Sequence, residues 1–407
     1  MILRGSRRPA PGTRLPARGE NPVEALRSLV TMTGLQLCHR FYDRAVAPLL
    51  TGVPHAAGLL GDGSEVLGFD DAVSPDHDFG PRAQVFVAAA ADAERAHRAL
   101  EQLPPRFEDF PVAFTRGTLH GGAAHHQVEV VTAPRFFTDL MGRDPADGMT
   151  VTDWLTTPTQ RLATLTGGAV FHDPEGALAT RRTALEWYPD DVWRYVLAAA
   201  WLRVSQEEAF VGRTGSVGDD LGSALVTARV ARDLVRLAFL VERRWAPYSK
   251  WLGSAFARLP LAGRVGPHLT AAVRATAWRE REAALCAAQR ELAVATNRLG
   301  LADAVDPEPR RFHTRDLRVL FGDRFTAALA DRVTDPAVRA LVVRLGNGRL
   351  TLPGAIDQAV DSVEILTRPD RCRAAAGLLG PDAGDGVGGG VEGAGGGVGG
   401  YSPGSST

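Results

Sequence analysis

The sequence predicts an α+β fold in which a small α/β domain is followed by an all-helical domain. Stretches with the alternating apolar pattern of strands, interleaved with helical patterns, occur only before about residue 180. From Thr180 onward, apolar residues recur at helical spacing over long segments, with no strand-like stretch between them. The 407 residues are enough for two such domains, each with its own core.

The first domain is expected to span residues 22–180. Asn21 and Pro22 are residue types that favour a helix N-cap and first turn, and a helical pattern follows as far as Leu50. The elements predicted after it are short. They are a strand or turn at 55–64, a strand at 83–90, a helix at 91–103, strands at 110–116 and 126–132, helices at 134–141 and 150–166, and a last strand at 167–173.

The second domain, residues 181–370, is expected to be a helical bundle. Its helical patterns cover 190–211, 221–245, 270–300, 323–333 and 354–366. Glu207 and Glu208 belong to the first of them, where a solvated helix face is expected. Residues 1–21 are rich in Arg, Pro and Gly, and residues 371–407 are rich in Gly, so a disordered leader and a disordered tail are expected.

The composition excludes several classes of protein. The net charge of −1 gives no electrostatic drive toward nucleic acid or anionic membrane. The three cysteines follow neither a metal-ligand nor a disulfide spacing, which favours a reducing compartment. No apolar run approaches the ~18 residues of a membrane span. We therefore expect a cytoplasmic protein with no nucleic-acid or membrane partner.

The acidic stretch GSEVLGFDDAVSPDHDFGPR, residues 63–82, carries the strongest functional signal. Asp76 and Asp78 lie two residues apart just before an apolar strand. If they begin that strand, both carboxylates leave the same face, where they can share a hard divalent cation. Gly63 and Ser64 precede them and can offer backbone N–H groups and a hydroxyl to a phosphate. The alternative for all four residues is an ordinary solvated turn.

This combination resembles the polymerase-beta-like nucleotidyltransferase superfamily. The resemblance rests on Gly63-Ser64, an eleven-residue loop and Asp76-x-Asp78 before an apolar strand. It implies a mixed sheet with flanking helices, and a third carboxylate on a neighbouring strand, for which Glu129 is the candidate. Pro75 and His77 depart from the usual pattern around the two aspartates.

The later part of the chain carries a second resemblance. The helical domain is similar to the substrate-binding bundle of the aminoglycoside nucleotidyltransferases. The stretches SPDHDFGPR, EEAFVGRTG and RRWAPYSKW also resemble an uncharacterised bacterial family of nucleotidyltransferase-like proteins.

The resemblance implies a transfer of a nucleotidyl group from an NTP, most simply ATP, to a hydroxyl of a small molecule. Asp76, Asp78 and Glu129 would hold Mg²⁺ or Mn²⁺, with Glu129 as third ligand or as base. Two alternatives remain open. The acceptor is a protein side chain, as in AMP-transferring enzymes paired with toxins, or the protein binds nucleotide as a regulator without chemistry.

Two basic residues are candidates for the phosphates. Arg82 is expected either to reach a phosphate or to form a surface ion pair. Lys250 is the only lysine among 46 basic residues and lies in APYSKWLG. The Ser-Lys pair resembles one that several nucleotidyltransferases place over the triphosphate, although Lys250 at a packed aromatic corner is the alternative.

Overall fold

The computed structural model describes residues 32–70, 80–114 and 125–380 of the chain. The first described helix, α1 (Gly34–Phe41), begins at Thr33. The Thr33 hydroxyl accepts a hydrogen bond from the Gln36 N–H, and the Gln36 side chain accepts one from the Thr33 N–H. The helix continues as a π-helical segment, Tyr42–Val46, and a further turn at Ala47–Leu49.

The first part of the chain contains seven described strands. They are β1 (Ala56–Leu59), β2 (Arg82–Phe86), β3 (Arg106–Phe107), β4 (Phe110–Pro111), β5 (Ala113–Phe114), β6 (His125–Val131) and β7 (Ala169–His172). Five of them form one sheet in the order β5-β6-β2-β1-β7, and β3 and β4 pair separately. Strands β2 and β6 are parallel and the other neighbours are antiparallel, so the expected mixed sheet is confirmed.

Four helices besides α1 accompany this sheet. They are α2 (Ala90–Leu100), α3 (Ala133–Met141), α4 (Val151–Thr156) and α5 (Thr159–Thr166). Val85 of β2 belongs to a buried cluster with residues of α1 and α2. Phe86 belongs instead to a cluster with Phe136 of α3, on the opposite face. Helices therefore cover both faces of β2, which explains why every residue of this strand is buried.

The rest of the described chain is almost entirely helical. Its helices are α6 (Ala177–Ala184), α7 (Asp190–Glu207), α8 (Phe210–Gly215), α9 (Asp220–Val241), α10 (Ser249–Phe256), α11 (Ala262–Arg274), α12 (Trp278–Arg298), α13 (Asp323–Ala330), α14 (Pro336–Ala340), α15 (Ile356–Ala359), α16 (Val363–Leu366) and α17 (Pro369–Ala374). Two short antiparallel ladders, Arg310–Arg311 with Arg318–Val319 and Val343–Arg344 with Leu350–Thr351, interrupt them. The predicted α+β class is thus confirmed, and ordered helix continues past residue 370.

A single buried cluster joins the two parts of the molecule. It includes Phe86 and Phe136 beside the sheet and Trp201 and Leu292 within the helical part. The helical part therefore packs directly on one face of the sheet region. None of the described helices has the length and apolar character needed to cross a lipid bilayer.

Candidate functional site

The candidate site lies at the strand ends of the sheet, where β1 ends and β2 begins. Because β1 and β2 are antiparallel, the chain leaving Leu59 turns beside the start of β2 at Arg82. Gln84 holds this turn by two hydrogen bonds. Its side-chain carbonyl accepts from the Leu60 N–H at 2.9 Å, and its amide donates to the Leu60 carbonyl at 3.0 Å. Gln84 is buried, so the bonds are shielded from water.

Arg82 fixes the next residues of the turn. Its Nε donates to Glu65 Oε1 at 2.7 Å, and its Nη2 contacts the same carboxylate and donates to the Asp62 carbonyl at 2.9 Å. The Arg82 side chain is 4 % exposed and that of Glu65 15 % exposed. The ion pair considered from the sequence therefore exists, but it is buried, and it holds the turn in place. A direct phosphate contact by Arg82 stays a prediction.

Gly63 lies inside this clamp. Its φ of +154° belongs to the region that L side chains rarely adopt. A Cβ at this position would collide with the Arg82 guanidinium and with the Glu65 carboxylate. Glycine is therefore required both by the backbone conformation and by the ion pair that closes over it.

Two side chains from later segments of the chain reach the same turn. Arg161 of α5 donates to the Asp62 carboxylate at 3.1 Å. Tyr248, the residue before α10, interacts through its hydroxyl with Ser64, and burial raises the Tyr248 pKa although this contact opposes the effect. Asp62 and Ser64 of this turn are therefore each contacted from a distant segment of the chain.

Lys250 lies in the first turn of α10 and is exposed. Its ammonium is 4.9 Å from the centroid of the Trp251 ring, and Trp251 stacks on Phe69 with the ring centroids 5.3 Å apart. The two roles that the sequence suggested for Lys250, a phosphate ligand and part of a packed aromatic corner, are thus compatible. The rings pack together while the ammonium stays accessible to solvent. Phosphate binding by Lys250 stays a prediction.

Glu129 shares a sheet face with the residues that clamp the turn. In the parallel pair of β2 and β6, Glu129 is in register with Gln84, and Gln127 with Arg82. Residues in register point to the same face, so Glu129, Gln84 and Arg82 are on one side. Glu129 is exposed and lines a cavity of about 260 Å³ together with Arg82 and Gln84.

Asp76 and Asp78 lie outside the described residues. The two ends of the segment that contains them are fixed, because Asp70 accepts a hydrogen bond from the Gly34 N–H at the start of α1 and Arg82 is held by Glu65. Within the described part of the chain no group of three or more His, Cys, Asp and Glu residues is placed to hold a metal ion. The metal site therefore stays a prediction that depends on Asp76 and Asp78.

One expectation about the helical part is wrong. Glu208 does not lie on a solvated helix face but is 7 % exposed. Its carboxylate accepts hydrogen bonds from the N–H groups of Leu320 and Gly322 at 2.9 and 3.1 Å and from the Gln289 amide at 3.2 Å. Burial raises its pKa to about 7 against these bonds. The partners are more than 80 residues away in sequence, so local periodicity contains no signal for them.

Comparison with known proteins gives two results. Residues 154–252 match the family described as Domain of unknown function (DUF4037). The structure of the nucleotidyltransferase-like protein from Exiguobacterium sibiricum 255-15 covers 76 % of this chain and 96 % of its own, at 10 % sequence identity and a TM-score of 0.28. No curated protein matches the chain significantly.

The family match includes α5 to α9 and Lys250 but not the turn at Gly63 or the strand of Glu129. It confirms the expected resemblance to a family of unknown function for that range only. The structural likeness is too distant to assign an activity or a site residue.

Proposed function

We propose that this protein is a metal-dependent nucleotidyltransferase that moves a nucleotidyl group from an NTP, most simply ATP, to a hydroxyl of a small molecule. One observation carries the proposal. The Gly63-Ser64 turn is clamped beside the start of β2, and Glu129 lies in register with Gln84 on the same sheet face. The turn that we propose to bind phosphate and the Glu129 carboxylate thus belong to neighbouring strands of one sheet.

In this proposal each site residue has a separate role. The Gly63-Ser64 turn offers N–H groups and a hydroxyl to the triphosphate, and Lys250 offers a compact ammonium. Arg82 acts mainly through the turn, because its guanidinium already binds Glu65 and the Asp62 carbonyl. This rigid support keeps the donors aligned during the reaction.

The metal would be held by Asp76, Asp78 and Glu129. Carboxylate oxygens are the donors that Mg²⁺ and Mn²⁺ prefer, so the donor set fits these ions. When bound, the ions supply positive charge beside the attacking and leaving oxygens. The acceptor oxygen forms a bond to the α-phosphorus, and the bond to the pyrophosphate oxygen breaks. The hydroxyl proton passes to Glu129 or, if Glu129 is only a ligand, to solvent.

The proposal is tested with ATP labelled at the α-phosphate. Purified protein is incubated with Mg²⁺ or Mn²⁺ and pools of hydroxyl-bearing metabolites, and label transfer is measured together with pyrophosphate release. Glu129→Gln should lower transfer at least about a hundredfold, the scale of one general base. Glu94→Gln neutralises an exposed carboxylate on α2 and should have no effect.

Three outcomes would contradict the proposal in different ways. Label transferred only to protein would favour the protein acceptor. ATP binding without pyrophosphate release under any condition would favour a regulatory protein. Unchanged transfer by Glu129→Gln would exclude Glu129 from both the metal site and the proton transfer.

A further inference from the structure

A second cavity, which we call the arginine cavity, lies between the turn segment and the helical part. Its volume is about 690 Å³, and it is lined by Val66, Leu67 and Phe69, by the end of α5, by α6, and by the segments that follow α9 and α10. Four arginines and a single acidic residue contribute to its wall. The arginines are Arg182, Arg243, Arg244 and Arg258, and the acidic residue is Glu186.

The four arginines differ from many others in the chain. Arg82, Arg181 and Arg203, for example, are each paired with a carboxylate. Within the described residues, no Asp or Glu carboxylate lies within 4.0 Å of any of the four cavity arginines. The cavity therefore concentrates positive charge that the described protein does not neutralise.

The contacts of these arginines orient them without cancelling their charge. Arg182 donates to the Thr166 carbonyl at 2.6 Å. Arg258 lies 4.0 Å from the centroid of the Phe69 ring and donates to the Gly68 carbonyl at 2.8 Å. Arg243 lies 4.2 Å from the Trp193 ring. Such contacts hold a guanidinium in place and leave further N–H donors for a ligand.

The backbone at Arg243 supports a role for this cluster. Arg243 has a φ of +51°, a left-handed conformation that favours glycine after a helix. The chain contains 44 glycines but places an arginine at this strained position. The strain is explained if the two consecutive side chains of Arg243 and Arg244 must both reach the wall of the cavity.

Apolar side chains also form part of the wall, beside Thr166, Thr183 and Glu186. Phe69, Phe239, Trp245 and Leu259 line the cavity with the arginines. A ligand that fits this surface has an anionic group for the guanidinium ions and an apolar or ring-shaped body for the aromatic wall. A polycationic compound such as an aminoglycoside would instead be repelled.

We propose that the arginine cavity binds a small organic anion that carries a phosphate or carboxylate group on an apolar body. The binding itself does not depend on nucleotidyl transfer. Only the role of the bound anion as the acceptor rests on the proposed function. The cavity wall begins at Val66, two residues after Ser64, so an anion of this kind that also carries a hydroxyl is the acceptor that the transfer reaction uses.

Titration calorimetry without nucleotide or metal tests the binding. The probes are phenyl phosphate, phenylacetate, benzyl alcohol, inorganic phosphate and kanamycin. Phenyl phosphate and phenylacetate should bind, phenyl phosphate more tightly than inorganic phosphate, while benzyl alcohol and kanamycin should not bind. Failure of both organic anions to bind would overturn the proposal. Binding of kanamycin or benzyl alcohol in preference to both organic anions would overturn the proposal, as would equal affinity for phenyl phosphate and inorganic phosphate.

Variants then locate the probe. Arg244→Gln removes a side chain that makes no ion pair with the described residues, and should weaken phenyl phosphate binding at least about tenfold. Arg244→Gln combined with Arg258→Gln should weaken it further. Arg349→Gln removes an exposed arginine elsewhere and is the control. Equal affinity of the wild type, both variants and the control would place the anion outside the cavity and overturn the proposal.

Label transfer from ATP tests separately whether the bound anion is the acceptor. If anions bind in the cavity but no label is transferred from ATP to any compound, the binding inference stands and the proposed function fails. If label is transferred only to neutral or cationic compounds, the function stands and the acceptor assignment fails.

Discussion

At the scale of single residues, the site depends on pairings that connect distant parts of the chain. Arg82 and Glu65 are 17 residues apart, and Ser64 and Tyr248 lie in different parts of the fold. Each pairing restricts a turn that would otherwise sample many conformations. The donors proposed to bind phosphate are therefore held in place before any ligand arrives.

The only lysine of the chain can be tested by charge-conserving replacement. If Lys250 contacts the triphosphate, Lys250→Arg should weaken ATP binding because a planar guanidinium does not occupy the position of an ammonium. Lys250→Ala should weaken it further, by roughly 1.5–3 kcal/mol, or about tenfold to a hundredfold. The side chain is exposed, so thermal stability should change little in either variant. Equal ATP affinities across the series, measured by calorimetry, would show that Lys250 is not a ligand.

Glu208 gives a pH dependence whose sign follows from its raised pKa. Burial raises the pKa from 4.5 to about 7 in the folded state, so the folded protein keeps this proton where the unfolded chain has lost it. The free energy of unfolding should therefore fall as the pH rises from about 4.5 to 7 and stay level above that range. The fall in unfolding free energy that is due to Glu208 is on the order of 3 kcal/mol.

The measurement is urea unfolding at pH 5, 6, 7 and 8 for the wild type and Glu208→Gln. The difference in unfolding free energy between the wild type and Glu208→Gln should show the pH dependence that is due to Glu208. His55 and His126, whose pKa values are lowered by burial, are present in both proteins and cancel in this difference. Glu94→Gln is the control and should keep the wild-type profile. A Glu208→Gln profile parallel to that of the wild type would show that Glu208 does not titrate in this range.

At the scale of elements, the turn between β1 and β2 is the feature that positions the candidate site. Gln84 and Arg82 on β2 hold residues 60–65, and the Gly168 N–H donates to the Val66 carbonyl at 2.7 Å. Backbone and side-chain bonds thus reach the turn from both neighbouring segments. The turn is expected to move with the sheet rather than as an independent loop.

Gly63→Ala should disrupt this turn and the proposed phosphate site together. The new Cβ would collide with the Arg82–Glu65 pair and would also impose backbone strain. Gly52→Ala is the matched control, because Gly52 also has a positive φ, +79°, but has no atom within 4 Å of the added Cβ. We expect a clearly larger loss of unfolding free energy, measured in urea, for Gly63→Ala. Equal losses would mean that the clamp does not enclose Gly63 in solution.

Much of this organisation is predictable from local patterns. The apolar stretch around Val85 and the alternation around Val128 predicted two strands, although not their parallel pairing, and Gly63-Ser64 before an apolar strand predicted a turn. The stretch 110–116 was predicted as one strand, but its described residues, 110–114, form two short pieces, β4 and β5. Periodicity contains no information about long-range polar partners, so the burial of Glu208 and the Arg82–Glu65 pair were not predictable.

At the scale of the whole molecule, the sheet region and the helical part form one structure around a shared core. Tyr248, Trp251 and Arg258 from the helical part all contact the segment between Ser64 and Phe69. The candidate nucleotide site and the arginine cavity therefore meet at the same segment of chain. Binding of a ligand at one of these sites is therefore expected to change the affinity of the other site for its ligand.

The measurement that tests the central claim most directly is ATP binding, with and without Mg²⁺, to the double variant Asp76→Asn, Asp78→Asn. The wild type should bind ATP in a Mg²⁺-dependent manner, and the double variant should lose this dependence with unchanged or slightly raised thermal stability, because clustered carboxylates repel one another without metal. The double variant Glu94→Gln, Asp109→Asn also removes two exposed charges and should bind as the wild type does. Unaltered Mg²⁺-dependent affinity in the aspartate variant, measured by calorimetry, would contradict the nucleotidyltransferase site.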